Sequence, residues 1–191
     1  MSKKRCAWCQ GNPLYEEYHD TEWGVPLYED QKLFEFLSLE LFQAGLSWIT
    51  VLKKRPHFRI AFDNFKIERV AQYSQKKIEY LMQDKGIIRN RLKIEACIAN
   101  AAAIQIIQQK HPSFAHYLWS FVDHKPLYGG YHSLEEVPAY TPLAQRLSQA
   151  LKKEGFRFIG PTVCYAFMQA TGLVNDHLSS CFRHQELKEQ L

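Results

Sequence analysis

The sequence contains no apolar run long enough to cross a bilayer, and its opening, MSKKRCAWCQ, turns polar too early for a secretory signal. It has an odd number of cysteines, five, which argues against the disulfide framework of a small secreted domain. Alternating polar and apolar runs, internal repeats and low-complexity tracts are scarce. These absences argue against a membrane-spanning or disulfide-held protein, and we expect a cytoplasmic one.

The composition that remains is that of an ordinary globular protein. The chain has 191 residues, of which 46% are hydrophobic and 23% charged, so it fits one domain, 1–191, with a substantial core. A net charge of +4 permits a polyanionic partner without requiring one. We expect the protein to be a monomer.

Apolar residues recur at helical spacing along nearly the whole chain, so the predicted fold class is all-α. Asp30 is the expected N-cap of a helix over EDQKLFEFLSLELF, which Gly45 interrupts, and Pro56 is expected to end the following helix, SWITVLKKR. Cys97, Cys164 and Trp119 are predicted core residues. Further predicted helices are SQKKIEYLMQDK from Ser74, IRNRLKIEACIANAAAIQIIQQK, TPLAQRLSQALKKEGF from Thr141 and GPTVCYAFMQATGL, closed by Gly172, while SLEE at 133–136 has the form of a capping box.

Cysteine and histidine residues near the two ends of the chain suggest a metal site. Two thiolates and two imidazoles are a set that Zn²⁺ binds tetrahedrally, and on a helix a pair four residues apart shares one face. Such a site would be structural, because four protein ligands leave no position for water. The spacing alone leaves open an unrelated scatter of residues, and Cys9 and His184 are rival ligands. The candidate ligands are Cys6, His19, His177 and Cys181.

The stretch QDKGIIRNRLKI, residues 83–94, resembles a helix-hairpin-helix motif within the region 78–100. That motif offers backbone N–H groups at a tight turn to a phosphate, with basic side chains nearby. Ile88 stands where the usual Gly-x-Gly has its second glycine, so an ordinary corner between two helices is the alternative. The candidate DNA contacts are Lys85, Gly86, Ile87, Ile88 and Arg89.

Aromatic residues crowd the first fifty positions, around one acid in an apolar helix, Glu40. Leu33, Leu37 and Leu41 share its helical stripe, so Glu40 is expected to face partly inward. Aromatic faces around a buried carboxylate suit a flat, electron-poor or cationic ring. The alternative is a boundary residue paired with a lysine. The aromatic residues concerned are Trp8, Tyr15, Tyr18, Trp23 and Trp48.

Five segments closely resemble the family of bacterial 3-methyladenine DNA glycosylases I, within the helix-hairpin-helix superfamily: YHDTEWGVP, QAGLSWITVLKKR, DKGIIRNRLKI, ALKKEGFRFIGPT and GLVNDH. The resemblance runs from Cys6 to Cys181 and leaves out the tail 182–191. It implies an all-helical glycosylase fold in which one structural Zn²⁺ joins the terminal segments 1–28 and 173–184. The family's ligand pattern falls on Cys6, His19, His177 and Cys181, which makes Cys9 a bystander.

The resemblance also implies an activity, hydrolysis of the N-glycosidic bond of 3-methyladenine flipped out of double-stranded DNA, leaving an abasic site. Glu40 matches the acid that reads the base, and Gly45 with Leu46 matches the loop that probes the gap. No small-molecule cofactor and no membrane partner are implied. Tyr18, Trp48, Trp8 and Tyr15 match residues lining the base pocket.

Two departures from the wider superfamily bear on mechanism. Bifunctional members carry a lysine at the position of Asn90, so no lyase activity is expected. Many members have a catalytic aspartate about twenty residues beyond the hairpin, and here no acid lies between Glu95 and Asp123. The rival readings are a zinc-stapled DNA-binding module without catalysis, a zinc hydrolase, which four protein ligands disfavour, and a glycosylase acting on another lesion such as 3-methylguanine.

Overall fold

The structure is a computed structural model that describes residues 3–189, and within that range helices dominate, as predicted. The α-helices are α1 (Pro13–Thr21), α2 (Asp30–Gln43), α3 (Trp48–Ala61), α4 (Ile67–Val70), α5 (Gln75–Gln83), α6 (Arg91–Lys110), α7 (Phe114–Trp119), α8 (Pro142–Lys153), α9 (Pro161–Ala170) and α10 (Phe182–Glu189). Short 3-10 helices cover Ala7–Cys9, Asp63–Phe65, Ser120–Val122 and Leu134–Glu136. Residues 1, 2, 190 and 191, which belong to the predicted segments 1–28 and 182–191, lie outside the described residues.

Side-chain caps fix the starts of three helices near the predicted positions. The Ser74 hydroxyl accepts a hydrogen bond from the Lys77 N–H at the start of α5 (3.4 Å). The Thr141 hydroxyl accepts one from the Ala144 N–H at the start of α8 (3.2 Å). At α6 the cap is Asn90, whose side-chain oxygen accepts from the Lys93 N–H (3.2 Å). Each cap satisfies an amide that has no partner within its own helix.

The predicted cap of α2 is wrong, because Asp30 is the first residue inside that helix and Glu29 precedes it. The Asp30 carboxylate instead accepts hydrogen bonds from the N–H groups of Phe114 (2.9 Å) and Ala115 (2.8 Å) at the start of α7. It therefore caps a helix more than eighty residues away. This tertiary cap joins α2 to α7.

Pro56 does not end α3, contrary to the prediction, and the helix continues to Ala61. Proline removes one backbone hydrogen bond and crowds the preceding turn. Interactions on both sides of it hold the helix together: Arg55 and Arg59 both pair with Glu35 of α2, and the Phe58 side chain is fully buried. The ion pairs and the packing offset the lost backbone bond.

The segment between α7 and α9 differs from the prediction in detail. The 3-10 turn covers Leu134–Glu136, and the Ser133 side chain before it forms no capping hydrogen bond, so the predicted capping box is not formed. Two short parallel strands, β1 (Leu127–Tyr128) and β2 (Val174–Asn175), pair Leu127 with Val174. This pair fixes the chain just before His177.

Helix α2 lies at the centre of the molecule and contacts α3, α6, α7 and α9. Every residue from Leu33 to Phe42 is buried, so the polar side chains in this stretch are largely withdrawn from bulk water. The predictions for Trp119, Cys97 and Cys164 are confirmed, since all three are at most 1% exposed. Among residues 3–189, no helix is long and apolar enough to cross a membrane.

Candidate functional site

A cavity of about 160 Å³ lies between α1, α2, α9 and the start of α3. Of the five residues predicted to contact the base, four line this cavity: Trp8, Tyr18, Glu40 and Trp48. The fifth, Tyr15, does not. Tyr15 packs edge-on against Trp8 (ring centroids 5.5 Å apart), and its hydroxyl accepts a hydrogen bond from the Ile49 N–H (2.8 Å), so it supports the wall from behind. The lining residues are Trp8, Tyr18, Trp23, Glu40, Gln43, Trp48, Ala166 and Gln169.

Four of the eight lining residues are aromatic. Tyr18 and Trp48 lie with their centroids 5.3 Å apart, and Trp8 and Trp23 with theirs 5.2 Å apart, both pairs inclined rather than parallel. Inclined pairs leave ring faces free to stack on a planar guest, and such stacking contributes about 1–3 kcal/mol per base.

Two donors in the wall have no partner within residues 3–189. They are the buried hydroxyl of Tyr18 and the buried indole Nε1 of Trp48. Burial raises the pKa of Tyr18 well above its ordinary value, so the hydroxyl keeps its proton. A buried donor without a partner is destabilising by about 1–3 kcal/mol, and a bound molecule with acceptor atoms would relieve that penalty.

Glu40 is the acid of the cavity and is only 5% exposed. It forms no ion pair within residues 3–189, so the alternative of a lysine partner is not realised. Burial raises its pKa to about 8, and the free protein therefore holds this carboxyl group largely protonated at neutral pH. A cation in the cavity would favour the ionised form, since opposite charge lowers the pKa of an acid.

Three lining residues were not predicted from the sequence: Gln43, Ala166 and Gln169. Ala166 and Gln169 belong to α9, which reaches the cavity because it packs on α2. The available signal was weak: Gln169 is the single amide in the apolar stretch PTVCYAFMQA.

The loop between α2 and α3 lies next to the cavity and carries Gly45 and Leu46. Gly45 has φ +83°, a conformation that residues with a side chain rarely adopt, and Leu46 is 43% exposed. Lys93, at the start of α6, donates hydrogen bonds to the Phe42 carbonyl (2.9 Å) and the Ala44 carbonyl (2.6 Å). The ammonium group thus holds the loop against the start of α6.

The segment between α5 and α6 forms a turn at residues 84–90. Lys85 and Arg89 are exposed, Ile87 is buried and Ile88 is half-buried, so the apolar residues anchor the turn and the basic ones face solvent. The Gly86 N–H donates to the Asp84 carboxylate (2.7 Å), and a phosphate would have to displace that contact.

The turn is also held from α3. Lys54 donates hydrogen bonds to the carbonyls of Lys85 (2.9 Å) and Gly86 (3.3 Å). A Cβ atom at Gly86 would lie 3.0 Å from the His57 ring, so the close approach of α3 favours glycine there. The turn at residues 84–90 is therefore fixed to α3, the helix that follows the Leu46 loop.

The four candidate metal ligands come together in the structure. The ligand atoms of Cys6, His19, His177 and Cys181 all lie within 4.8 Å of one another, and all four residues are buried. Cys181 Sγ is 3.4 Å from His19 Nε2 and 3.6 Å from His177 Nδ1. His177 and Cys181 occupy the loop before α10 rather than a helix, so their shared face comes from the turn.

The second nitrogen of each imidazole has a partner of its own. His19 Nδ1 is 2.8 Å from the Asp20 carboxylate, and His177 Nε2 donates to the Trp23 carbonyl (2.9 Å). Metal-binding histidines are held in this way, with a carboxylate or carbonyl orienting the ring. The donor set and its supports fit Zn²⁺.

The rival ligands are directed elsewhere. The Cys9 thiol donates to the Cys6 carbonyl (3.1 Å), and His184 Nδ1 lies 2.8 Å from the His177 carbonyl oxygen. Both residues therefore support the backbone of the cluster and do not extend the set of four.

A larger groove, of about 510 Å³, lies along Glu22, Glu35, Arg55 and Arg59. Its charged groups already pair with one another: Arg55 donates to Glu35 (2.6 Å) and to Glu22 (2.7 Å). The smaller cavity has unpaired buried donors and aromatic walls, so it is the better candidate for a ligand site.

Comparisons with known proteins identify the family to which the chain is similar. A model of the methyladenine glycosylase family matches residues 8–184. The DNA-3-methyladenine glycosylase 1 of Escherichia coli (strain K12) is 51% identical over 178 residues, which cover 93% of this chain and 95% of the relative. The DNA-3-methyladenine glycosylase of Haemophilus influenzae is 49% identical over 177 residues, covering 93% and 96%.

Solved structures show the same likeness. A crystal structure of a 3-methyladenine DNA glycosylase I superposes with a TM-score of 0.91 at 51% identity and covers 94% of this chain and 98% of its own. The Staphylococcus aureus 3-methyladenine DNA glycosylase I, solved for its recognition of 3-methyladenine, superposes with a TM-score of 0.91 at 38% identity, covering 95% and 97%.

Proposed function

The chain belongs to the methyladenine glycosylase family, and we propose that it is a monofunctional DNA glycosylase for 3-methyladenine. It binds alkylated double-stranded DNA, rotates the damaged nucleotide out of the helix and hydrolyses its N-glycosidic bond, leaving an abasic site. The observation that carries this proposal is the aromatic cavity in which the Tyr18 hydroxyl and the Trp48 indole lack hydrogen-bond partners and Glu40 forms no ion pair within residues 3–189.

The chemistry of the base fits these groups. Methylation at N3 makes the purine of a nucleotide cationic while leaving acceptor nitrogens and an exocyclic amine on its edges. The Tyr18 hydroxyl donates to a ring nitrogen, Glu40 accepts from the amine, and the aromatic rings stack on the faces. An unmodified adenine carries no charge and would leave Glu40 less well compensated, so the pocket selects the alkylated base.

Little acid–base chemistry is required of the protein. The positive charge makes the alkylated purine a good leaving group, and the electrons of the N-glycosidic bond neutralise that charge as the base departs. The task of the residues is therefore to extrude, hold and select the base. Extrusion costs a few kcal/mol and costs least for damaged bases.

The exposed loop and the hairpin supply the DNA contacts in this proposal. Leu46 enters the gap left by the extruded nucleotide, and Lys85 and Arg89 of the hairpin contact phosphates. The bonds from Lys93 to the carbonyls of Phe42 and Ala44 support a fixed spacing between loop and hairpin.

A structural Zn²⁺ is the proposed cofactor, one per chain, held by Cys6, His19, His177 and Cys181. The metal would neutralise the two thiolates and fasten the N-terminal loop to the segment before α10. Its four protein ligands leave it no part in activating water.

The test is incubation of the purified protein with methylated duplex DNA, followed by chromatography of the released bases. Free 3-methyladenine is expected, with an equal number of alkali-labile abasic sites and no DNA adduct trapped by borohydride. Release of 3-methylguanine is measured in the same run. A protein that binds the duplex but releases no base would be a DNA-binding module, and the proposal would fail.

A further inference from the structure

Gln169 reaches the proposed base pocket from α9 and is tied to a buried acid behind the wall. Its Nε2 donates a hydrogen bond to Asp176 Oδ2 (2.9 Å). Asp176 is 5% exposed and lies between β2 and His177. Within residues 3–189, the Gln169 side chain makes no other hydrogen bond, although the residue lines the cavity. Its carbonyl oxygen therefore has no donor from the protein.

The orientation of this amide follows from its neighbour. Asp176 Oδ2 also accepts a hydrogen bond from the hydroxyl of Tyr165, which is buried. A carboxylate offers lone pairs and no hydrogens, so the Gln169 group facing it must be the NH₂ group. The carbonyl oxygen Oε1 then points away from Asp176.

The acid itself has little freedom to move. A Cβ atom at Gly129 would lie 2.3 Å from Asp176 Oδ1, which shows how closely the backbone after β1 covers the carboxylate. The pairing of β1 with β2 fixes that backbone. Asp176 is thus clamped between Gly129, Tyr165 and Gln169.

We infer that Gln169 is a further base-reading residue, whose amide oxygen accepts the second hydrogen of the exocyclic amine, and that Asp176 is the positioning residue that fixes this amide. The inference rests on the proposed function. An exocyclic amine has two hydrogens, and Glu40 of α2 and Gln169 of α9 can accept one each from different helices; Gln43, the other amide of the lining, lies on the same helix as Glu40.

This arrangement distinguishes purines by the group at C6. A base with a carbonyl there would place its oxygen against the Gln169 oxygen and leave both without a donor. Sites built to hydrogen-bond an N–H group reject analogues that lack it strongly, because their buried polar groups are left unpaired. The Asp176 charge polarises the amide and strengthens the preference.

The experiment compares 3-methyladenine with 3-methylhypoxanthine, in which a carbonyl replaces the C6 amine and a ring nitrogen gains a hydrogen, each bound as the free base to the full chain; the variants then show how much of the difference depends on Gln169. Quenching of tryptophan fluorescence gives each Kd, because Trp8, Trp23 and Trp48 line the pocket. The wild-type protein is expected to prefer 3-methyladenine. Gln169→Met removes the acceptor while keeping the length of the side chain, and it should reduce that preference about tenfold, the effect of one lost hydrogen bond of about 1.4 kcal/mol.

Asp176→Asn is the decisive second variant. It leaves Gln169 in place but lets the amide reverse, because asparagine can donate as well as accept. The preference should fall as it does in Gln169→Met, whereas a purely structural Asp176 would weaken both bases equally. Gln145→Met, at an exposed position of α8, is the control and should match the wild type.

Each outcome decides the question. A wild-type protein without preference between the two bases overturns the inference, as does a Gln169→Met variant that keeps the wild-type ratio. Equal weakening of both bases in Asp176→Asn overturns the positioning role. A wild-type protein that binds neither base and releases none from DNA sinks the proposed function itself, a result distinct from a pocket that binds bases but ignores C6.

Discussion

Tyr18 and His19 are consecutive residues of α1 that belong to two different sites. The Tyr18 hydroxyl lies in the wall of the cavity, and His19 Nε2 lies 3.4 Å from Cys181 Sγ in the cysteine–histidine cluster. Trp23 connects the sites again, since its ring lies 4.5 Å from that of His177 and 5.2 Å from that of Trp8. A change in the geometry of the cluster is therefore expected to shift the aromatic rings that line the cavity.

Loss of the proposed zinc is expected to weaken stability and base binding together. The variant Cys181→Ser should contain no zinc, melt about 10 °C or more below the wild type, and bind free 3-methyladenine more weakly. Metal content, thermal melting and fluorescence titration measure the three effects. Cys9→Ser is the matched control and should retain one zinc per chain, because Cys9 supports the Cys6 backbone and lies outside the set of four. Loss of zinc in the Cys9 variant would contradict the assignment of ligands.

Glu40→Gln is expected to reduce excision of 3-methyladenine about tenfold, because a charge-assisted hydrogen bond to the cationic base, worth about 1.5–3 kcal/mol, becomes a neutral one worth about 0.5–1.5 kcal/mol. Single-turnover rates on methylated duplex DNA provide the measurement. The variant should fold normally, since it removes a buried acid without a protein partner. Glu79→Gln, at an exposed position of α5, is the control for loss of charge. An unchanged rate in a folded Glu40→Gln protein would remove Glu40 from base recognition.

Local sequence signals predicted the caps of α5 and α8 but not that of α2. The Ser74 and Thr141 hydroxyls bond amides three residues ahead, so the whole interaction lies within a short stretch of sequence. Asp30 has an equally good local signal, yet its partners are amides of α7, brought close by tertiary packing. The prediction that Pro56 ends α3 is wrong for a related reason, because an ion pair to α2 holds the helix beyond Pro56. The sequence carries no local record of either contact.

The residues of the candidate site likewise fall into those that the sequence predicts and those that only the tertiary structure identifies. The cysteine and histidine pairs and the carboxylate in an apolar helix are unusual enough to be noticed along the chain. Gln169 is an ordinary amide, and only the approach of α9 to α2 and the bond to Asp176 give it significance. Tyr15 is the opposite case: the sequence predicted that it lines the cavity, but it lies outside the lining and its hydroxyl accepts a hydrogen bond from the Ile49 N–H.

Leu46 is expected to contribute to excision from duplex DNA but not to binding of the free base. Leu46→Ala should lower kcat/KM for excision from duplex DNA about tenfold, because less apolar surface fills the gap left by the extruded base. The Kd for free 3-methyladenine and the melting temperature should stay at their wild-type values, since Leu46 is 43% exposed. Leu134→Ala is the matched control, being 42% exposed on the 3-10 turn at 134–136. Equal losses in both variants would show that general surface apolarity, rather than the loop, matters.

The pH dependence of stability should carry the signature of Glu40. Burial raises its pKa to about 8 in the folded chain, above the ordinary value of 4.5, so the folded state binds more protons than the unfolded state between those values. The free energy of unfolding contributed by this group is therefore fully present below about pH 4.5 and is lost as the pH rises towards 8, by up to about 1.4 kcal/mol per pH unit.

Glu40→Gln isolates this contribution, because glutamine has nearly the same shape and does not titrate. Denaturant unfolding of the wild type and the variant between pH 5 and pH 9 measures the difference in free energy of unfolding. That difference should move in favour of the variant as the pH rises to about 8 and level off above it. A difference independent of pH would mean that Glu40 is already ionised in the free protein, with its charge compensated before any base arrives.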